Sequence, residues 1–151
     1  YDMPILYSCH PRSRNRLVAS GFKLDSRVQV QQPLGFHDYN WLQMNAFAVV
    51  SDSGTLPEES SFYASIGKPI SAVCIRTSTE RPEAIDKACF ILSGIDTKGL
   101  LQSVDLAVQM TKDGNHGIPV PSYTDDVSNK VVKIIQSYVG VVNKMVWRKE
   151  I

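Results

Sequence analysis

Ala46-Phe47-Ala48-Val49-Val50-Ser51-Asp52-Ser53-Gly54-Thr55-Leu56-Pro57-Glu58-Glu59 is the stretch around which the chain is organised. The apolar run from Ala46 to Val50 reads as a buried strand. Ser51-Asp52-Ser53-Gly54 breaks it, and a helical pattern starts at Thr55. Pro57 then falls in the first turn, where its missing N–H costs little. A strand, a tight turn of small residues and a helix aim backbone N–H groups and the positive end of the helix dipole at one point. That geometry suits an anion such as a phosphate. Glu58 and Glu59 follow in the first turns, placed to accept hydrogen bonds from sugar hydroxyls beside that anion. The same residues also fit an ordinary connection, with Ser53 as the N-cap and two solvated glutamates.

Working upstream, Pro4 to Cys9 reads as a short strand stopped by His10-Pro11. Ser13 to Ser20 reads as a helix closed by Gly21. Arg27 to Gln31 alternates and gives a second strand, halted at Pro33. A turn at Leu34-Gly35-Phe36 leads to a helix from about Tyr39 to Asn45, capped by His37 or Asp38, with Trp41, Leu42 and Met44 as apolar candidates.

Downstream, Gly67-Lys68-Pro69 ends the central helix and Ile70 to Ile75 forms a further buried strand. The polar run Thr77 to Glu83 opens a short helix to about Ala88, and Cys89 to Leu92 is another strand. Helices follow from Asp96-Thr97 to about Met110, and from Asp125-Asp126-Val127-Ser128 to about 149. On the last, Val131, Val132, Ile134, Ile135, Tyr138, Val141 and Val142 recur at helical spacing.

Short apolar strands alternating with helices mean βαβ crossovers and a parallel sheet with helices on both faces. The fold class expected is therefore α/β and Rossmann-like. Ligands of such sheets bind at the carboxyl ends of the strands. His10, residues 33–37, Ser51 to Gly54 and Thr77 to Arg81 then share one rim.

With 151 residues the chain is the size of one domain able to bury a core. A net charge of +1 without a Lys/Arg run gives no footprint for nucleic acid. No apolar run reaches membrane-spanning length, and no signal-peptide pattern opens the chain. Cys74 and Cys89 lie in apolar runs, and with Cys9 they make an odd, widely spaced set. Buried reduced thiols in a cytoplasmic protein are the expectation. No Cys/His pair has metal-ligand spacing. Tyr1 in place of an initiator methionine, and a strand almost at once, lead to the expectation that the chain is a fragment.

Three motifs carry a family resemblance: Ser51-Asp52-Ser53-Gly54-Thr55-Leu56-Pro57-Glu58-Glu59, then Gly67-Lys68-Pro69, then Thr79-Glu80-Arg81-Pro82-Glu83. In order and spacing, from about Pro4 to the end, the chain resembles the carboxy-terminal half of non-hydrolysing UDP-N-acetylglucosamine 2-epimerases. In finer detail it resembles the capsule or O-antigen branch that makes UDP-N-acetyl-L-fucosamine. The resemblance implies one half of a GT-B-type enzyme with two Rossmann-like domains and a nucleotide sugar between them. It implies that Ser53, Gly54 and Thr55 hold the diphosphate, that Glu59 accepts from the ribose, and that Arg81 approaches the diphosphate or the sugar. It places Tyr39 against uracil, and His10 near a second, regulatory UDP-sugar site. Core or capping roles are open for Tyr39 and Arg81, and a bond to a loop carbonyl is open for His10. His37 and His116 read as loop residues. Where the family commonly has Ser-Gly-Gly, this chain has Ser53-Gly54-Thr55. Threonine resists positive φ, so helical geometry is expected at residue 55.

The activity implied is isomerisation by anti elimination of UDP and re-addition on the other face, with no metal or redox cofactor. The carboxylates that move the proton belong, on the resemblance, to an amino-terminal domain outside these residues. The fragment alone is then an inactive UDP-binding half-site. Its last helix is expected to depend on that domain or to support a homodimer. A GT-B glycosyltransferase half shares the phosphate turn and the ribose glutamate and is the rival reading. A non-catalytic nucleotide-sugar-binding module is the second.

Overall fold

A computed structural model describes residues 1–123 and 126–149. The chain divides into two compact units, one of residues 1–45 and one from Ala46 onward. Each has its own parallel sheet.

In the first unit β1 (Ile5–Ser8) pairs with β2 (Val28–Gln31), Ile5 opposite Val28 and Ser8 opposite Gln31. Parallel neighbours need a crossover, and α1 (Pro11–Ala19) supplies it. The proline expected to stop the strand is the residue that starts this helix. Its fixed φ and missing N–H suit the first helical position. His10 caps it, its Nδ1 accepting from the Arg12 N–H at 3.2 Å. Gly21, at φ +65°, ends the helix as expected. Helix α2 (Phe36–Asn45) also starts earlier than its sequence signals suggest, the Tyr39 N–H donating to the Gly35 carbonyl at 2.9 Å. His37 and Asp38 therefore lie inside it and do not cap it. Trp41 is exposed, and the buried residue of this helix is Gln43.

In the second unit β3 (Val49–Ser51), β4 (Ala72–Cys74) and β5 (Ile91–Leu92) form a parallel sheet with β4 in the middle. Helix α3 (Leu56–Ser65) joins the first two strands and α4 (Pro82–Asp86) the last two. Then come α5 (Thr97–Lys112), a single 3-10 turn (Pro121–Tyr123) and α6 (Val127–Met145). Both sheets are parallel and each strand connection contains a helix, which is the α/β, Rossmann-like class expected.

Strand β4 explains the layering. Successive side chains of a strand point to opposite faces. Ala72 and Cys74 join Leu56 and Tyr63 of α3 in one cluster, with Ala84, Cys89 and Phe90. Val73 joins Val104, Ala107 and Val108 of α5 in another. A strand covered on both faces reads as an unbroken apolar run, which is how it shows in the sequence. Two serines buried on α3 are satisfied across the core: Ser60 Oγ donates to the Cys89 carbonyl, and Ser61 Oγ accepts from the Val120 N–H at 2.8 Å. Cys9, Cys74 and Cys89 are free and buried. Burial pushes the Cys74 and Cys89 thiols up from their ordinary value, so they resist ionisation.

Asp96 caps α5 by accepting from the Gly99 N–H at 2.8 Å. Asp126 caps α6, its Oδ1 accepting from the Asn129 N–H at 3.3 Å. Asp125, expected to open that helix, lies outside the described residues. The apolar positions of α6 fall on one half of its circumference, and Val131, Ile134, Ile135, Tyr138 and Val141 are exposed. Among the described residues no helix is long and apolar enough to cross a membrane.

Candidate functional site

Ser51 lies opposite Cys74 in the β3–β4 register, so the segments after these two strands leave the sheet side by side at its carboxyl end. The first is the turn Asp52 to Thr55, which runs into α3. Small hydroxyls close it on itself. The Ser53 N–H donates to Ser51 Oγ at 3.0 Å, and the Thr55 N–H donates to Ser53 Oγ at 3.2 Å. Ser53 Oγ and Thr55 Oγ1 lie 2.9 Å apart, and Thr55 Oγ1 donates to Glu59 Oε1 at 3.0 Å. Thr55 is the N-cap residue of α3 and has helical geometry (φ −87°, ψ −17°), as its resistance to positive φ requires. Ser53 serves the turn and is not the N-cap. Two of the N–H groups expected to face a ligand are thus held by hydroxyls of the turn itself.

The second segment carries the charge. Arg76 follows β4 and reaches back over the turn. A Cβ built on Gly54 would stand 3.5 Å from Arg76 Nη1 and 3.8 Å from Glu80 Oε2. The missing side chain thus opens the space between turn and guanidinium, which is what glycine contributes here. Gly54 needs no left-handed φ. Both terminal nitrogens of Arg76 donate to Glu80, Nη1 to Oε2 at 2.9 Å and Nη2 to Oε1 at 2.7 Å. This hydrogen bonding raises the Arg76 pKa and holds the Glu80 carboxyl below the usual carboxylate range. Arg81 takes a different partner. Its Nε donates to Glu58 Oε1 at 2.6 Å, in the first turn of α3, and its Nη1 donates to the Glu80 carbonyl at 3.2 Å.

The structure thus brings together Ser53, Gly54, Thr55, Glu59 and Arg81 of the expected set. Glu59 is engaged by Thr55, and Arg81 by Glu58. Tyr39, on α2, and His10, the cap of α1, belong to the first unit. His116 lines an apolar crevice of about 160 Å³ with Ile70, Phe90 and Ala107, at the opposite end of β4 and β5 from the turn. Arg76 is the residue that sequence reasoning missed. It stands one position before the rim segment that starts at Thr77, and the cue is its place just past a buried strand. Among the described residues no group of His, Cys, Asp or Glu could hold a metal ion.

This arrangement can take an anionic group at the start of α3, with a guanidinium above it and carboxylates for hydroxyl donors beside it. Comparison with known proteins points the same way. Residues 1–136 match the family model described as UDP-N-acetylglucosamine 2-epimerase. A UDP-N-acetylglucosamine 2-epimerase of Methanococcus maripaludis is 30% identical over 128 residues, covering 78% of this chain and 34% of that protein. A UDP-2,3-diacetamido-2,3-dideoxy-D-glucuronate 2-epimerase of Pseudomonas aeruginosa is 31% identical over 108 residues, covering 72% and 28%. The solved structure of UDP-N-acetylglucosamine 2-epimerase from Rickettsia bellii superposes with a TM-score of 0.70 and 35% identity, over 99% of this chain and 40% of that one. The chain spans about a third of the length of the curated relatives it matches.

Proposed function

Because the chain belongs to the UDP-N-acetylglucosamine 2-epimerase family, we propose that its second unit binds the diphosphate of a UDP-sugar at the Ser53-Gly54-Thr55 turn. The observation that carries this reading is the Arg76 guanidinium poised over Gly54 at the start of α3. Ser53 and Thr55 hydroxyls and the Gly54 backbone take phosphate oxygens, and Arg76 neutralises their charge. Glu59, one turn along, accepts from the ribose hydroxyls. Arg81 supports the site through Glu58, and its charge adds to the field at the diphosphate. Tyr39 stacking on uracil and His10 at a second UDP-sugar site complete the set taken from the family resemblance.

The whole protein, on this proposal, is an isomerase that eliminates UDP and the C2 proton across the C1–C2 bond, then returns UDP to C1 on its original face and a proton to C2 on the opposite face. The residues of the turn contribute by stabilising UDP as negative charge develops on it in the transition state. The carboxylates that remove and return the C2 proton lie outside these residues, so the chain alone binds and does not turn over. The finer reading is a cytoplasmic step in making capsule or O-antigen precursors, with UDP-N-acetyl-L-fucosamine as product. The similarity to epimerases of two different sugars supports the reaction more firmly than the sugar. The exposed apolar half of α6 supports a contact with an amino-terminal domain or a homodimer.

Calorimetric titration with UDP tests the site. The chain binds UDP saturably. Arg76→Ala weakens binding by about tenfold or more, since it removes the charge-assisted hydrogen bonds to the phosphate. Glu59→Ala weakens UDP but leaves inorganic pyrophosphate unaffected. Absent binding, or binding indifferent to both substitutions, overturns the assignment.

A further inference from the structure

The site holds one more charged residue than the binding of a diphosphate strictly uses. Glu80 sits beside the turn, and a carboxylate there repels an incoming phosphate unless it does something else. We propose that Glu80 is a positioning residue, which fixes the Arg76 guanidinium over Gly54 in the orientation that the diphosphate needs. The inference rests on the reading of the turn as the diphosphate site.

Three observations carry it. The Arg76–Glu80 contact is an end-on fork that engages both Nη1 and Nη2. A guanidinium has five N–H donors, so the fork leaves Nε–H and one N–H on each terminal nitrogen for a ligand. The nitrogen nearest Gly54 is Nη1, itself one prong of the fork. Glu80 is also held in place. Its carbonyl accepts from Arg81 Nη1, the Arg81 N–H donates to Thr79 Oγ1 at 3.1 Å, and Arg81 Nε is bound to Glu58.

These contacts form a chain: from Glu58 in the first turn of α3, through Arg81 and Glu80, to Arg76, whose Nη1 faces Gly54. An arginine on a long stem loses much rotamer freedom when a ligand fixes it. The chain of contacts reduces that loss before the ligand arrives, which is the general source of affinity from preorganisation. Arg76 and Glu80 form the pair without helical geometry to align them, since residues 75–81 lie outside any helix or strand.

The test measures UDP and uridine binding to the chain and its Glu80→Gln variant, with thermal unfolding of both. Glu80 is exposed, so the variant keeps its fold and its midpoint stays within a few degrees. Positioning predicts that Glu80→Gln binds UDP about 3- to 10-fold more weakly while uridine, which lacks the diphosphate, binds as before. Glu58→Gln, at the far end of the chain beyond Arg81, shifts UDP in the same direction by less. UDP binding that is unchanged or tighter in Glu80→Gln overturns the proposal, and the tighter case makes the carboxylate a competitor of the ligand. An equal loss for uridine and UDP overturns it too, as general damage. If the unsubstituted chain fails to bind UDP, the diphosphate reading itself falls and takes this one with it.

Discussion

Gly117 shows how little room one residue can leave. Its φ is +87°, and a Cβ there would lie 2.5 Å from the Ala88 carbonyl oxygen. Both backbone strain and collision oppose any side chain. Gly117→Ala is expected to destabilise the chain by about 2 kcal/mol or more, read as a lowered urea midpoint at unchanged slope. An unaltered midpoint contradicts the geometry. In the sequence Gly117 is only one glycine of an Asp113-Gly114-Asn115-His116-Gly117 loop, and nothing local marks it as the crowded one. Thr55 is the opposite case. Its reluctance toward positive φ is a property of the residue alone, so its helical geometry was legible in advance. Arg76 and Arg81 lie between these extremes. Arg81 stands out in its motif and Arg76 does not, and which one faces the turn depends on which carboxylate each meets. That is settled by Glu80, four residues from Arg76, and by Glu58, twenty-three from Arg81.

At the scale of elements, the helices and the buried middle strand of the second unit were legible because their signals are local. The run Ala46 to Val50, expected to be a buried strand, gives instead the edge strand β3, with Phe47 and Val50 exposed. Apolar runs marked β3 and β4, Pro57 marked the first turn of α3, and Asp96 marked the cap of α5. Errors arose where one residue type has two meanings. Pro11 lies just past the strand, which ends before it as expected, at Ser8, and it also starts α1, two residues before the start expected at Ser13. The 3-10 turn at Pro121–Tyr123 left no periodic signal, and its anchor is tertiary. Tyr123 OH donates to Glu83 Oε1 at 2.7 Å, tying the turn to α4. This bond holds the Glu83 carboxyl below its usual range, and burial together with Glu83 pushes the Tyr123 phenol up. A lowered folded-state pKa gives stability that is present above the unfolded value, about 4.3, and is lost as pH falls through the folded value. Tyr123→Phe should therefore cost about 1 kcal/mol at neutral pH. The gap between the two proteins should narrow below about pH 4. Urea denaturation at pH 7 and at pH 3.5 checks this, and a gap indifferent to pH would refute it.

For the whole molecule, fold class and family were legible together because a family signature is spread over many motifs at fixed distances. The division into two units was not, since each crossover obeys the same local rules whether its strands share a sheet or not. The middle strand of the second sheet has strands on both edges and helices on both faces. The clock that this sets can be read by hydrogen exchange. Amides of Ala72 to Cys74 have no local route to solvent, so they should exchange only through global opening and be among the slowest in the chain. The amides of Ser53 to Thr55, a few residues past the edge strand, need only a turn to loosen and should exchange orders of magnitude sooner. Saturating UDP should slow the turn selectively, while the core strand gains only the increment that ligand linkage gives to global stability. Equal slowing at both places would mean that the turn opens only when the entire unit does. The molecule thus pairs its most reluctant backbone with one of its readiest, joined by the register that sets Ser51 beside Cys74.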